Sequence, residues 1–136
     1  VENDTAISLW AAHLPRVLIT PMHLDYVKTP DGGVINGWPN GYETEWPANA
    51  AMFCLGDPFS FPAELMLEQL NDDRPGVPVI GGMASGGATP GENRLILGRK
   101  VADSGAVACL VSGGIKIRTV LSQGCRPIGR PLIVTK

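Results

Sequence analysis

No run in this 136-residue chain approaches the roughly 20 consecutive apolar residues needed to span a bilayer. A basic surplus is also missing. The net charge is −2 and the pI is near 5.6, so there is no field for nucleic acid and no polybasic patch for a membrane surface. The chain opens on Val1 and carries no charged-then-apolar leader; it reads as trimmed, and no signal peptide can be read from it. Cysteine is scarce. Cys54, Cys109 and Cys125 have no paired spacing, which implies reduced thiols and a cytoplasmic setting. His13 and His23 have no Cys, Asp or Glu partner at a recognised metal spacing. They read as histidines near strand ends rather than metal or haem ligands. Asp25, Asp31, Glu43 and Glu45 are scattered over loops, so no carboxylate pair for acid–base work can be picked out.

The chain is rich in glycine, 17 residues, and proline, 12 residues. So many turn formers suit short strands better than long helices. The length implies one domain. Apolar runs predict a series of short strands, over residues 6–12, 16–20, 27–28 with 34–35, 50–55, 77–80, 94–97 with 100–102, 106–111, 115–121 and 132–134. Asp31-Gly32 and Gly98-Arg99 are hairpin signals. Pro21 places its strand at an edge or ends it at a bulge. Residues 50–55 and 106–111 have no polar face, so both read as strands covered on both sides. Trp38 and Trp46 tack the loop from Asn36 to Asn49 onto the body.

One good helix is predicted, over 61–71. Ser60 is its expected cap, and Pro62 is tolerated in the first turn. Ala63, Met66, Leu67 and Leu70 make one apolar face. Asp72 and Asp73 lie at the wrong end for the helix dipole, and Pro75-Gly76 stops the helix. Asp57 reads as a turn residue ahead of it. The expected fold is therefore α+β: mainly antiparallel sheet layers with about one packed amphipathic helix.

Two segments carry unusual chemistry. Gly81-Gly82-Met83-Ala84-Ser85-Gly86-Gly87 follows a strand, but no Lys follows Gly86 and no helix follows the glycines. That excludes the Walker and dinucleotide-binding patterns. It reads either as a loop passing close to other backbone or as a small-ligand loop offering backbone N–H groups. Ser122-Gln-Gly-Cys-Arg-Pro-Ile-Gly129 holds Gly124, which tolerates unusual backbone angles, and Cys125 beside the cation Arg126. A thiol nucleophile would need His13 or His23 as its base. The alternative is a structural or ligand-lining cysteine. Cys54 and Cys109 sit inside apolar runs and read as core.

Several segments together resemble the FIST domain, found in intracellular signal-transduction proteins and in some F-box proteins. They are Ala6-Ile-Ser-Leu-Trp-Ala-Ala-His-Leu-Pro15, Asp57-Pro-Phe-Ser-Phe-Pro62, Pro78-Val-Ile-Gly-Gly-Met-Ala-Ser-Gly-Gly87, Asn93-Arg-Leu95, Gly105-Ala-Val107 and Ser122–Gly129. Their order and spacing fit over nearly the whole chain. The resemblance implies a sensory, ligand-binding role rather than catalysis, with small ligands such as amino acids, no obligatory cofactor and a downstream signalling protein as partner. Some members are similar to haem-based gas sensors. It also implies that residues 1–136 form a single unit from the latter part of a FIST N-terminal domain. Loop chemistry then nominates Gly81, Gly82, Ser85, Gly86, Gly87, Asn93, Gln123, Gly124, Cys125 and Arg126 as ligand contacts. Gln123 offers a donor and acceptors, and Arg126 can hold a carboxylate bidentately. The competing expectation is a ligand-free scaffold contacting its partner through an exposed Trp38–Trp46 loop.

Overall fold

Side-chain alternation divides the main sheet into two faces of different fate. The computed structural model describes residues 6–30, 32–42 and 46–120. Its elements are β1 (Val17–Thr29), β2 (Gly32–Asn36), β3 (Ala51–Gly56), α1 (Ala63–Asp73), β4 (Val79–Met83), β5 (Leu95–Leu97), β6 (Lys100–Ala102) and β7 (Ala106–Gly113). Five strands form one sheet in the order β2-β1-β7-β3-β4, and β5 and β6 form a separate hairpin. Every pairing is antiparallel except β3–β4, which α1 joins in parallel. The fold is α+β and mostly sheet, as the residue patterning implied.

The pairing shows why β1 survives a proline. Residues Val17 to Leu24 pair with β7, whereas Asp25 to Thr29 pair with β2. Among the described residues, Pro21 therefore sits where β1 has a strand neighbour on one side only, and its missing N–H interrupts no second ladder there. The β1–β2 hairpin brings Thr29 opposite Gly32, and the β5–β6 hairpin turns at Gly98-Arg99, where Gly98 takes φ 61°.

Met22 and Leu24 from β1, Met52 and Cys54 from β3, and Ala106, Ala108 and Leu110 from β7 share one face and are buried. Met66 of α1 and Phe61 ahead of it close over them, with Ala63 and Leu70 partly buried at the margin. Leu24, Met52 and Leu110 are sealed from solvent, each contributing about 1.5–3 kcal/mol of transfer free energy. Trp38, Tyr42 and Trp46 continue this core. The Trp38 and Trp46 rings lie 5.9 Å apart, and both pack against the buried cluster.

The opposite face is different. Phe53 and Leu55 of β3 are 43% and 56% exposed, so β3 is not covered on both sides as its apolar sequence suggested. With α1 on one face, the described residues on the other are the β5–β6 hairpin near His23 and Val107, and irregular chain near Ile19. Three further expectations are corrected. Residues 6–12 form no strand, and Ile7, Leu9 and Trp10 are exposed; no described strand pairs with them. Residues 115–120 form no strand either, despite their alternation. Strand β4 begins and ends later than expected, so Gly81, Gly82 and Met83 are strand rather than loop. The expected strand at 132–134 lies outside the described residues.

Candidate functional site

The Asp57-Pro-Phe-Ser-Phe-Pro62 segment leaves the carboxyl end of β3 and turns back into α1. Asp57 is only 1% exposed, and its carboxylate organises the turn. Oδ2 accepts from the Ser60 hydroxyl at 2.6 Å and from the Phe59 N–H at 3.2 Å. Oδ1 accepts from the Asn93 carboxamide at 2.9 Å. The Ser60 hydroxyl above all holds the Asp57 carboxyl below the usual carboxylate range, with help from Asn93 and the Phe59 N–H; burial pushes the other way. Ser60 is therefore not the helix cap. Pro62 holds that position without a side-chain bond, and Ser60 Oγ instead accepts from the Gly105 N–H at 2.8 Å.

Asn93 carries this network into the glycine-rich segment. It is 5% exposed, and its Oδ1 accepts from the Gly87 N–H at 2.8 Å. A Cβ at Gly87 would lie 3.0 Å from that same oxygen and 2.8 Å from Glu92 Cβ, so glycine permits the approach. Glu92 fixes the next turn by accepting from the Ala88 N–H at 2.7 Å and the Thr89 N–H at 3.1 Å. Those bonds, Ala88 first, hold its carboxyl below the ordinary value. At the other end of the segment the Ala84 N–H donates to the Gly56 carbonyl at 2.8 Å. The segment leaving β4 is thus held at Ala84 and Gly87. Ser85 and Gly86 lie exposed between them.

The site residues expected from sequence divide into three groups. Ser85, Gly86 and Gly87 lie together at the carboxyl end of β4, beside the carboxyl end of β3. That is where open sheets with parallel strands place ligands. Asn93 joins them as a positioning residue, because its carboxamide is engaged at both ends. Gly81 and Gly82 lie within β4 and line a cleft of about 230 Å³ under α1, bounded by Phe61, Met66 and Leu67. There Gly81 serves close packing: a Cβ on it would overlap the Cys54 carbonyl. Gln123, Gly124, Cys125 and Arg126 lie outside the described residues. Asp57 and Ser60 were missed as site-builders. The signal was available in Asp57-Pro-Phe-Ser60, an Asp three residues before a Ser, but it read as a turn and a cap.

Other chemistry is weaker. Burial pushes the Cys54 thiol up to about 11 and raises Cys109 as well, so both are poor nucleophiles at neutral pH. Both ring nitrogens of His23 are engaged, Nε2 at 3.0 Å from the Ser104 carbonyl and Nδ1 at 3.3 Å from Asp25. The cavity beside it is about 190 Å³, below the 300 Å³ or so where ligand pockets begin, and His13 is exposed. These imidazoles do not fit a haem pocket. Among the described residues no three His, Cys, Asp or Glu side chains cluster as metal ligands, and no helix is long and apolar enough to cross a membrane.

A family model described as the FIST N domain matches residues 2–136. An uncharacterized protein of Mycobacterium tuberculosis is 42% identical over 135 residues, covering 99% of this chain and 33% of its own length. An uncharacterized protein of Mycobacterium bovis is 38% identical over the same coverage. The chain thus spans about a third of the curated relatives it matches. No solved structure matches it significantly.

Proposed function

This chain belongs to the FIST family, and from that premise we propose that it forms the ligand-contacting part of a sensory domain in signal transduction. The ligand is a small metabolite bearing a carboxylate, of the amino-acid class. It meets the exposed backbone of Ser85 and Gly86 at the carboxyl end of the parallel β3–β4 pair. The observation that carries this reading is the buried chain of hydrogen bonds from Asp57 through Asn93 to Gly87. A buried carboxylate is costly unless fully bonded, and here its bonds hold a glycine-rich segment whose exposed residues Ser85 and Gly86 suit backbone binding of an anion. Gln123, Cys125 and Arg126 are proposed to complete the contact, Arg126 through a bidentate pair with the ligand carboxylate. A downstream signalling protein reads the bound state.

Thermal unfolding of the protein against a panel of amino acids at millimolar concentration tests this. Binding to the native state raises Tm by mass action. At least one ligand is expected to stabilise the wild type, and Arg126→Gln to abolish that shift without lowering the ligand-free Tm. A complete absence of stabilisation would favour the second reading, an interaction scaffold. The Trp38–Trp46 loop is a poor contact surface for it, because those rings are half-buried against the core. The exposed apolar face around Ile19, Phe53 and Leu55 suits that role better.

A further inference from the structure

We propose that the charge on His23 sets the hold on the Ser104-Gly105 turn and, through it, the placement of Gly87 and the segment before it, so that this end of the sheet responds to pH. His23 Nε2 lies 3.0 Å from the Ser104 carbonyl, and Nδ1 lies 3.3 Å from Asp25 Oδ2. Both neighbours are acceptors. A neutral imidazole has one N–H and one lone pair, whereas imidazolium donates from both nitrogens. Neutral His23 therefore turns a lone pair on either the carbonyl or the carboxylate. The ring is rigid, so swinging away from one partner gives up the other as well. Only the charged form holds both. Histidine is the side chain whose charge changes between pH 5 and 8. The His23 side chain is 30% exposed, so protons reach it.

The turn that His23 holds is bonded into the Asp57 network. The Gly105 N–H donates to Ser60 Oγ at 2.8 Å, and the Gly105 carbonyl accepts from the Asp57 N–H at 2.9 Å. Ser60 donates in turn to the Asp57 carboxylate, which also accepts from Asn93, and Asn93 accepts from the Gly87 N–H. Gly105 is tightly placed. It takes φ 78°, and a Cβ on it would overlap the Leu24 carbonyl and lie 2.9 Å from Asp25 Oδ1. A shift of the turn is therefore felt by β1 and by the Asp57 segment together. Bonded and packed groups run without a break from the His23 ring to Gly87, the kind of continuous network that carries coupling between sites. Four other charged groups bear on this region. Asp25 meets the ring from β1, Lys100 of β6 lines the same cavity, Asp103 precedes the turn, and Asp57 bonds the turn rather than the ring. From β5 and β7 the ring meets only Leu95, Leu97 and Val107.

Proton–nitrogen NMR spectra of the whole chain, recorded from about pH 5 to pH 8 with the His23 ring followed alongside, test this coupling. The Gly105 and Gly87 amides should shift with the same midpoint as the His23 ring. His23→Gln keeps a polar side chain at a part-buried position but cannot titrate, and in it both amides should lose that shift. His13→Gln, at the other histidine of the chain, should leave both amides titrating as before. Asp25→Asn removes the carboxylate that a neutral ring would face, and should shrink both shifts. A Gly87 amide that stays still while His23 titrates would overturn the proposal, since the network would end at the turn. So would a shift that survives His23→Gln, amide midpoints that differ from that of the ring, or undiminished shifts in Asp25→Asn. No ligand enters the measurement, so its outcome is separate from that of the ligand screen.

Discussion

Asp57 is the residue on which the carboxyl end of the β3–β4 pair depends. Its carboxylate accepts three hydrogen bonds, from Ser60, Phe59 and Asn93. Asp57→Ala would leave those donors without their acceptor in a nearly sealed position, at a cost of about 2–4 kcal/mol. Urea unfolding at neutral pH measures that loss. The pH dependence has a definite sign. The folded-state pKa of Asp57 is lowered, so its stabilisation is complete above the ordinary carboxylate value of about 3.9 and disappears as pH falls through the folded-state value. Asp57→Asn should therefore lose part of the wild type's acid sensitivity while being less stable at pH 6. Parallel urea curves at pH 3 and pH 6 would show the two proteins converging on acidification. Curves that stay parallel would mean that Asp57 is not the titrating group.

At the scale of elements, β4 shows how two adjacent glycines differ. A Cβ at Gly81 would overlap the Cys54 carbonyl of the neighbouring strand, whereas one at Gly82 meets nothing within 4 Å. Gly81→Ala should force β3 and β4 apart and cost about 3 kcal/mol or more. Gly82→Ala should change stability by less than about 0.5 kcal/mol. Equal midpoints in thermal unfolding for the two variants would contradict the packing described for this strand pair. Helix α1 was legible from Ala63, Met66 and Leu70, which meet the core as their spacing implied. Leu67 belongs to the same stripe by sequence but is 40% exposed, at the open cleft it shares with β4.

At the scale of the whole molecule, α1 covers one face of the sheet, while the other carries exposed Phe53 and Leu55 among the described residues. Trp10, Leu14, Ile19, Phe53, Cys109 and Val111 line an apolar hollow of about 490 Å³ on the open side. Contiguous exposed apolar surface is a general feature of contact sites. The 136-residue chain is expected to bind a hydrophobic dye such as anilinonaphthalene sulfonate. The double substitution Phe53→Thr and Leu55→Thr should remove more than about half of that signal while changing stability by less than about 1 kcal/mol, since both side chains are already largely in water. Dye binding unaffected by the substitution would place the apolar surface elsewhere.

The sequence by itself determined the fold class, helix α1, the presence of both hairpins and the membership of the chain in its family, although Gly32, expected in the first turn, belongs to β2 and pairs with Thr29. Each of these is written locally, in side-chain period, turn residues or short motifs. The residues 6–12 and 115–120 show where local pattern stops: they carry strand-like apolar runs but have no neighbouring ladder among the described residues, and a strand exists only when another strand supplies its hydrogen bonds. Tertiary structure alone decided that β7 lies between β1 and β3, and that Asp57, Ser60, Asn93 and Gly87 form one network. Asp57 and Asn93 are 36 positions apart in the chain. Their meeting depends on β3, α1 and β4 closing a parallel unit, and neither residue's neighbours carry a signal of where that unit will bring it.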